Sequence, residues 1–424
     1  MGSNGFSLDT IDIITPDHYA RNGYPHKEWT YLRKHAPVFR CERPYLYEPF
    51  WAITKHADIT EIGTKPNLFL NAPRLLVVTN EYGTPGPGEE PGQLPFKHLL
   101  DMDPPEHGKY RGLVNKRFTP RSVRQLQPQI EQITREILDA ATSRNEADFV
   151  TDVSSKLPLA VIAEQLGVPR QDWEQLFTWT NETIGGADPE FQQGATADET
   201  MDRARIGLFT YFNDLCEKRR KEPQNDLTSV IANSTLDGQP LPTFELLSYF
   251  FLLVVAGNET TRNATSGGLL AFIENPEQWR LLRSDPSLID RAVEEIVRWT
   301  TPVIQFARTP KEDTEIRGQK IKAGETMCLF YPSANRDEEV FDAPFRFDIS
   351  RDPNPHLAFG IGEHFCLGAN LARLELAVIF NQLAERLDHV ELAGPVERLR
   401  SSFVGGIKHM PIRYEMRSAS AAYA

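Results

Sequence analysis

Cys366 is the residue with the most chemistry gathered around it. It stands in Phe359-Gly360-Ile361-Gly362-Glu363-His364-Phe365-Cys366-Leu367-Gly368, between glycine turns and a helical run over 370–387. Gly360 and Gly362 admit backbone conformations closed to other residues, and Gly368 lets a flat ligand approach. The amides and dipole at the start of the following helix favour negative charge. A cysteine there is biased toward thiolate, the form that ligates metals. A lone thiolate does not suit structural zinc, which takes four ligands. It suits haem iron, whose porphyrin supplies the in-plane donors. The plain alternative is a buried free cysteine beside a glycine turn. A dinucleotide loop is excluded because the third glycine is missing.

A second centre lies upstream. No proline interrupts 244–275, so the pattern predicts one helix of about 30 residues, roughly 45 Å long. Its apolar middle, 250–256, suddenly meets Gly257, Glu259, Thr260 and Thr261. Burying an acid and alcohols is costly unless they are satisfied or used. Gly257 weakens the helix and gives a ligand room. Thr260 or Glu259 can divert a backbone hydrogen bond and admit water; a kink with satisfied polar groups is the bland alternative. After Asp103-Pro104-Pro105 a helix starts, placing His107 and Arg111 one turn apart on one face. Buried there, they need an anion; on the surface they are an ion-pair face. Glu295 and Arg298 are also one turn apart. No His-Glu-x-x-His occurs, so zinc hydrolysis has no support.

The pattern Phe-x-x-Gly-x-His-x-Cys-x-Gly is complete from Phe359 to Gly368 and continues into Leu371-Ala372-Arg373. In this the chain resembles the cytochrome P-450 family of haem-thiolate monooxygenases. Ala256-Gly257-Asn258-Glu259-Thr260-Thr261 matches the family's oxygen-activating signature, and Glu295-x-x-Arg298 its Glu-x-x-Arg. The resemblance implies a mainly α fold with small β-sheets and a long central helix over haem. It implies a single domain over 1–417 and a disordered tail at 418–424. The cofactor would be haem b, with Cys366 as iron ligand. Ala256, Gly257, Phe359, Gly360 and Gly368 would lie against it, and His107, Arg111, Arg308, His356 and His364 would meet its propionates. Thr260 would hydrogen-bond dioxygen while Glu259 relays protons. Glu295 and Arg298 would form a buried structural pair, with Arg346 or Arg351 as third member. Leu75, Phe96, Val303, Ile304, Phe306 and Val404 would line an apolar pocket for a terpenoid, sterol-like or other bulky hydrocarbon. Electrons would come from a ferredoxin docking near Lys109, Arg111, Lys116 and Arg117. A peroxide-driven oxygenase of the same fold and a non-enzymatic haem sensor or carrier are the rivals. The Glu259–Thr260 pair argues against both.

The elements that must position these residues are partly legible. The chain has 424 residues, 40% hydrophobic, enough for a large core, and length alone suggests two or three domains. A net charge of −13 argues against general nucleic-acid binding. Against that balance, 109–124 carries Lys109, Arg111, Lys116, Arg117, Arg121 and Arg124 with no acid. This is either a solvated face or a docking patch for an acidic donor. The cysteines are scattered, without a Cys-x-x-Cys, which favours a reducing compartment. Residues 1–27 hold no apolar signal core, and 250–256 is too short to span a bilayer. A cytoplasmic protein without membrane anchor is expected. An irregular lead-in over 1–24 precedes a helix at 26–35, a strand at 50–54 and a helix at 57–63. The Pro/Gly-rich stretch 84–93 is a loop. Amphipathic helices are expected at 127–144, 157–166, 171–184 and 200–221. By the resemblance, 171–221 roofs the pocket, with Phe177, Trp179 and Ile184 as further contacts. A hairpin is expected over 315–331, with turns at Gly318 and Gly324.

Overall fold

The computed structural model describes residues 7–43, 46–79, 97–142, 144–186 and 188–418. The proline-free stretch forms a helix over Thr243–Glu274. Its apolar turns belong inside a core, and Phe250, Val254 and Leu269 are fully buried. Helices Lys156–Gln165, Trp173–Ile184, Ala197–Lys221, Ile289–Thr300 and Ala369–Arg386 pack around it. Two glycines of the long helix allow close crossings. A Cβ at Gly268 would meet Phe380 Cζ at 2.8 Å and Ile296 Cγ2 at 2.9 Å, and one at Gly267 would meet Thr300 Cγ2 at 2.7 Å.

Beside this helical body lies a five-stranded sheet. Its order is Val38–Cys41, Phe50–Ile53, Thr326–Phe330, Gln305–Pro310, Phe69–Leu70. Only the pairing of Phe50–Ile53 with Thr326–Phe330 is parallel. A smaller sheet joins Leu387–Leu392, Pro411–Met416 and Glu146–Asp148. The chain passes from helix Ile289–Thr300 into the larger sheet through Thr301, at φ 37°. A β-branched residue in that region is strained. Polar contacts pin it: its hydroxyl donates to Arg298 O at 2.7 Å, Asn335 Nδ2 donates to that hydroxyl at 2.8 Å, and Tyr24 donates to its carbonyl at 2.9 Å.

The mainly helical, small-sheet architecture agrees with expectation, and so do most helix positions. The lead-in does not, for it contains a helix at Pro16–Asn22. The signal was present, since Thr15-Pro16-Asp17 reads as cap, first-turn proline and first-turn acid. The expected hairpin is split. Thr314–Ile316 pairs with Gln319–Ile321, while Thr326–Phe330 joins the main sheet instead. The loop expected at 84–93 and the tail beyond 418 lie outside the described residues. Among the described residues no helix is long and apolar enough to cross a membrane.

Candidate functional site

A cavity of about 820 Å³ opens between the long helix and the cysteine loop. That is near the upper end for small-molecule sites. Ala256, Gly257, Glu259 and Thr260 border it on one side, and Phe359, Gly360, His364, Cys366 and Gly368 on the other. The Cys366 N–H donates to Phe359 O at 2.8 Å, and its thiol is free and open to the cavity. Burial pushes that thiol up, while the Gly368 backbone and the charges of Arg111 and Arg373 pull it down. A Cβ added at Gly368 would meet nothing within 4 Å, so open space lies over this residue. Among the described residues no cluster of three or more His, Cys, Asp or Glu could hold a metal. A metal at Cys366 needs its other donors from a prosthetic group.

One end of the cavity is cationic. Arg111, Arg308, His107 and His364 all border it. Arg308 is buried, and burial lowers its pKa against the pull of Tyr331 and Asp103. Arg111 donates to Phe365 O at 2.7 Å. The His107 and His364 rings lie 4.1 Å apart, and His107 Nδ1 is 3.1 Å from Glu363. Burial, with Arg308, His107 and Arg111, pushes His364 down to about 2. Its Nε2 lies 2.7 Å from Asn71 Nδ2. The buried Arg308 guanidinium facing a cavity calls for an anion, which suits the carboxylates of a porphyrin.

On the long helix the Thr260 hydroxyl bends back to Ala256 O at 2.9 Å, while the helix runs unbroken through this point. Glu259 is buried and paired with Arg262. Burial raises its carboxyl and Arg262 opposes. Arg262 in turn donates to Asn181 Oδ1 at 2.7 Å, and Asn258 Nδ2 donates to Thr180 at 3.0 Å. These contacts tie the acid to the roof helix. Arg262 was missed in the sequence, although its i+3 spacing from Glu259 is a legible signal. Gly257 borders the cavity, but its missing Cβ does not leave room for a ligand. A Cβ there would meet Ile162 Cγ1 at 3.2 Å, so glycine admits a neighbouring helix.

Glu295 and Arg298 form the expected buried pair, at 2.7 Å. The third member is Arg351, whose Nε lies 3.2 Å from Glu295, not Arg346. The Arg346 side chain turns outward to Asp348 at 2.5 Å, and only its carbonyl serves Arg298. His356 does not border the cavity. Glu294 captures its Nε2 at 3.0 Å, and its other ring nitrogen accepts from Ala358 N.

Leu75, Val303, Phe306 and Val404 line the cavity as expected. Ile304 does not; it lies just before the strand and packs into a core with Trp29, Phe50 and Phe330. Phe96 lies outside the described residues. Ile184 reaches the cavity, whereas Trp179 packs at Gly207 and Tyr211. The wall around Val77 is held by Gln305, which donates to Val77 O at 2.6 Å and accepts from Val77 N at 3.1 Å.

A polar latch holds the loop after the roof helix. Lys408 Nζ reaches Asp188 at 3.0 Å and Glu190 at 3.1 Å, while His409 bridges Glu190 at 2.8 Å and Asp148 at 2.5 Å. Burial opposes the charge on His409, but Asp148 and Glu190 together raise its pKa. The bridge is therefore fully present below the ordinary histidine value of about 6.5 and lost as pH rises through the raised value. Amide exchange over 188–192, corrected for its intrinsic pH dependence, is expected to quicken across that window. His409→Gln should flatten the response; a flat response in the parent would sever His409 from loop opening.

The profile of the family described as Cytochrome P-450 matches residues 195–400. Cytochrome P-450-terp of Pseudomonas sp is 39% identical over 414 residues, covering 95% of this chain and 96% of that protein. A steroid C26-monooxygenase of Rhodococcus jostii is 38% identical over 414 residues, covering 96% and 85%. A Mycobacterium marinum cytochrome P-450 solved in complex with pseudoionone superposes with a TM-score of 0.87 at 34% identity, covering 97% and 100%.

Proposed function

This chain belongs to the cytochrome P-450 family and is a monooxygenase, and from that premise we propose its reaction. It hydroxylates a bulky apolar small molecule, terpenoid, sterol-like or other hydrocarbon, with dioxygen and electrons from a ferredoxin. The observation that carries this is a single cavity with an acid and an alcohol on one wall and an open cysteine on the other. Haem b fits it: Cys366 would hold the iron, and Arg111, Arg308, His107 and His364 the propionates. When bound, haem supplies the dioxygen chemistry, with thiolate donation favouring O–O cleavage. The chain's own part is positioning and proton supply. Glu259, buried and paired with Arg262, stands beside Thr260 in the chain and would relay protons toward the Thr260 hydroxyl. Leu75, Val303, Phe306 and Val404 exclude water and seat the hydrocarbon. The names of the terpene-type and steroid-acting relatives support this substrate class. Lys116 and Arg117, the latter also donating to Asn225 Oδ1 at 2.9 Å, are offered to the donor, whereas Lys109 pairs with Asp237 at 2.5 Å and Arg111 turns to the cysteine loop. The catalytic unit spans 1–417 and works in the cytoplasm.

The ferric absorption spectrum, titrated with terpenoids, sterols, fatty acids and aromatic hydrocarbons, tests the reading. A low-spin spectrum that turns high-spin with one class supports it. A spectrum that no class shifts removes these substrates, and absence of bound haem after supplementation removes the reading of Cys366. Thr260→Ala should keep haem but divert reducing equivalents to peroxide. Product per electron pair is expected to fall about 10-fold or more. Unchanged coupling would take Thr260 out of the reaction.

A further inference from the structure

The acid next to Glu295 on the same helix is used differently. Glu294 points not at the Arg298 cluster but at the segment carrying Cys366. Its Oε1 accepts from Arg373 Nε at 2.6 Å and its Oε2 from Arg373 Nη2 at 2.9 Å, a two-point clasp. Its Oε2 also lies 3.0 Å from His356 Nε2. Burial alone would raise Glu294, but Arg373 and His356 hold it down at about 2, so it stays charged. The Arg373 guanidinium lies 4.5 Å from the centre of the Phe359 ring, and the His356 ring lies 5.8 Å from that ring on a tilted approach. Phe359 in turn accepts the Cys366 N–H at 2.8 Å. A continuous chain of contacts thus runs from Glu294 through Arg373 and Phe359 to the cysteine.

We propose that Glu294 and Arg373 are a paired set of positioning residues that fix the Phe359 ring and set the electrostatic field at Cys366, and hence the reduction potential of the bound haem. The proposal rests on the assignment of Cys366 as the iron ligand. Arg373 alone would place an uncompensated positive charge near the sulfur and favour the reduced state. Glu294 offsets that charge while locking the guanidinium against the ring. A partly buried pair is screened far less than a surface one, so each half acts at the cysteine.

The opposite charges make the test decisive. Spectroelectrochemical titration of the haem-loaded protein should give a higher potential for Glu294→Gln and a lower one for Arg373→Gln. The Glu294→Gln/Arg373→Gln double variant should return toward the parent value. Glu294→Asp and Arg373→Lys, which keep the charges, should stay nearer the parent than the neutral variants. Loss of a merely structural brace would move both neutral variants the same way, or move only their melting temperature. Either outcome would overturn the proposal. Should Glu294→Gln fail to take up haem, Arg373→Gln decides alone, its side chain being 34% exposed and tolerant of change: a fall supports the proposal, no change refutes it. A parent protein that binds no haem would instead overturn the assignment of Cys366 itself.

Discussion

Cys366→Ser is expected to fold normally and to lose hydroxylation. The side chain keeps no partner that serine cannot keep: the Gly368 backbone contact suits an alcohol as well as a thiol. The cavity walls come from other residues, so melting should change little. What disappears is the anionic sulfur donor, since serine is not ionised near neutral pH. Turnover should fall by at least about 10³-fold, at or beyond the loss seen on removing a group that stabilises developing charge. Haem content should fall as well, and the carbon monoxide difference spectrum should lose its thiolate character. Product formation measured beside thermal melting separates this outcome from misfolding. A serine variant retaining appreciable hydroxylation would mean that another residue holds the iron.

Glu295→Gln should have the opposite character, with folding lost first and chemistry only in consequence. The carboxylate is fully buried and accepts from Arg298 at 2.7 Å and Arg351 at 3.2 Å. It also accepts from Asp348 N at 2.9 Å and Asn354 Nδ2 at 3.1 Å. Removing one partner of a buried ion pair leaves an uncompensated charge and costs about 3–5 kcal/mol. Denaturant unfolding should register that loss, with haem uptake falling in parallel. Arg346→Ala is the control. Its side chain is 67% exposed in a surface pair with Asp348, worth about 0–1 kcal/mol, and the carbonyl that serves Arg298 survives the change.

These two sites differ in how far the sequence reveals them. Cys366 and the Glu259–Thr260 pair each lie in one contiguous stretch, where spacing and residue type specify the local geometry, so the cavity's two walls were readable. The choice of Arg351 over Arg346 was not. Both arginines follow Glu295 at long range, and the choice depends on how the chain turns between 342 and 351. His356 failed for a related reason: its spacing suited the cationic end of the cavity, but a carboxylate from a distant helix claims it. Ile304 was not legible: period-two alternation would put it with Phe306, but it precedes the strand Gln305–Pro310 and packs into the Trp29 core instead. Gly257 carried the right signal, a required absence of side chain, with the wrong neighbour assigned to it.

The hold of Gln305 on Val77 has a consequence for the origin of selectivity. Leu75 O accepts from Ala307 N at 2.7 Å, and Gln305 closes both main-chain groups of Val77. The wall is therefore sewn to the sheet by its backbone, while Leu75 and Val78 border the cavity. Shape and anchorage are encoded at different positions. A drifting lineage, or a directed library, can recode Leu75 and Val78 for a new hydrocarbon while the seam at Gln305 keeps the wall in place. Gln305 itself should be the position such a lineage leaves alone.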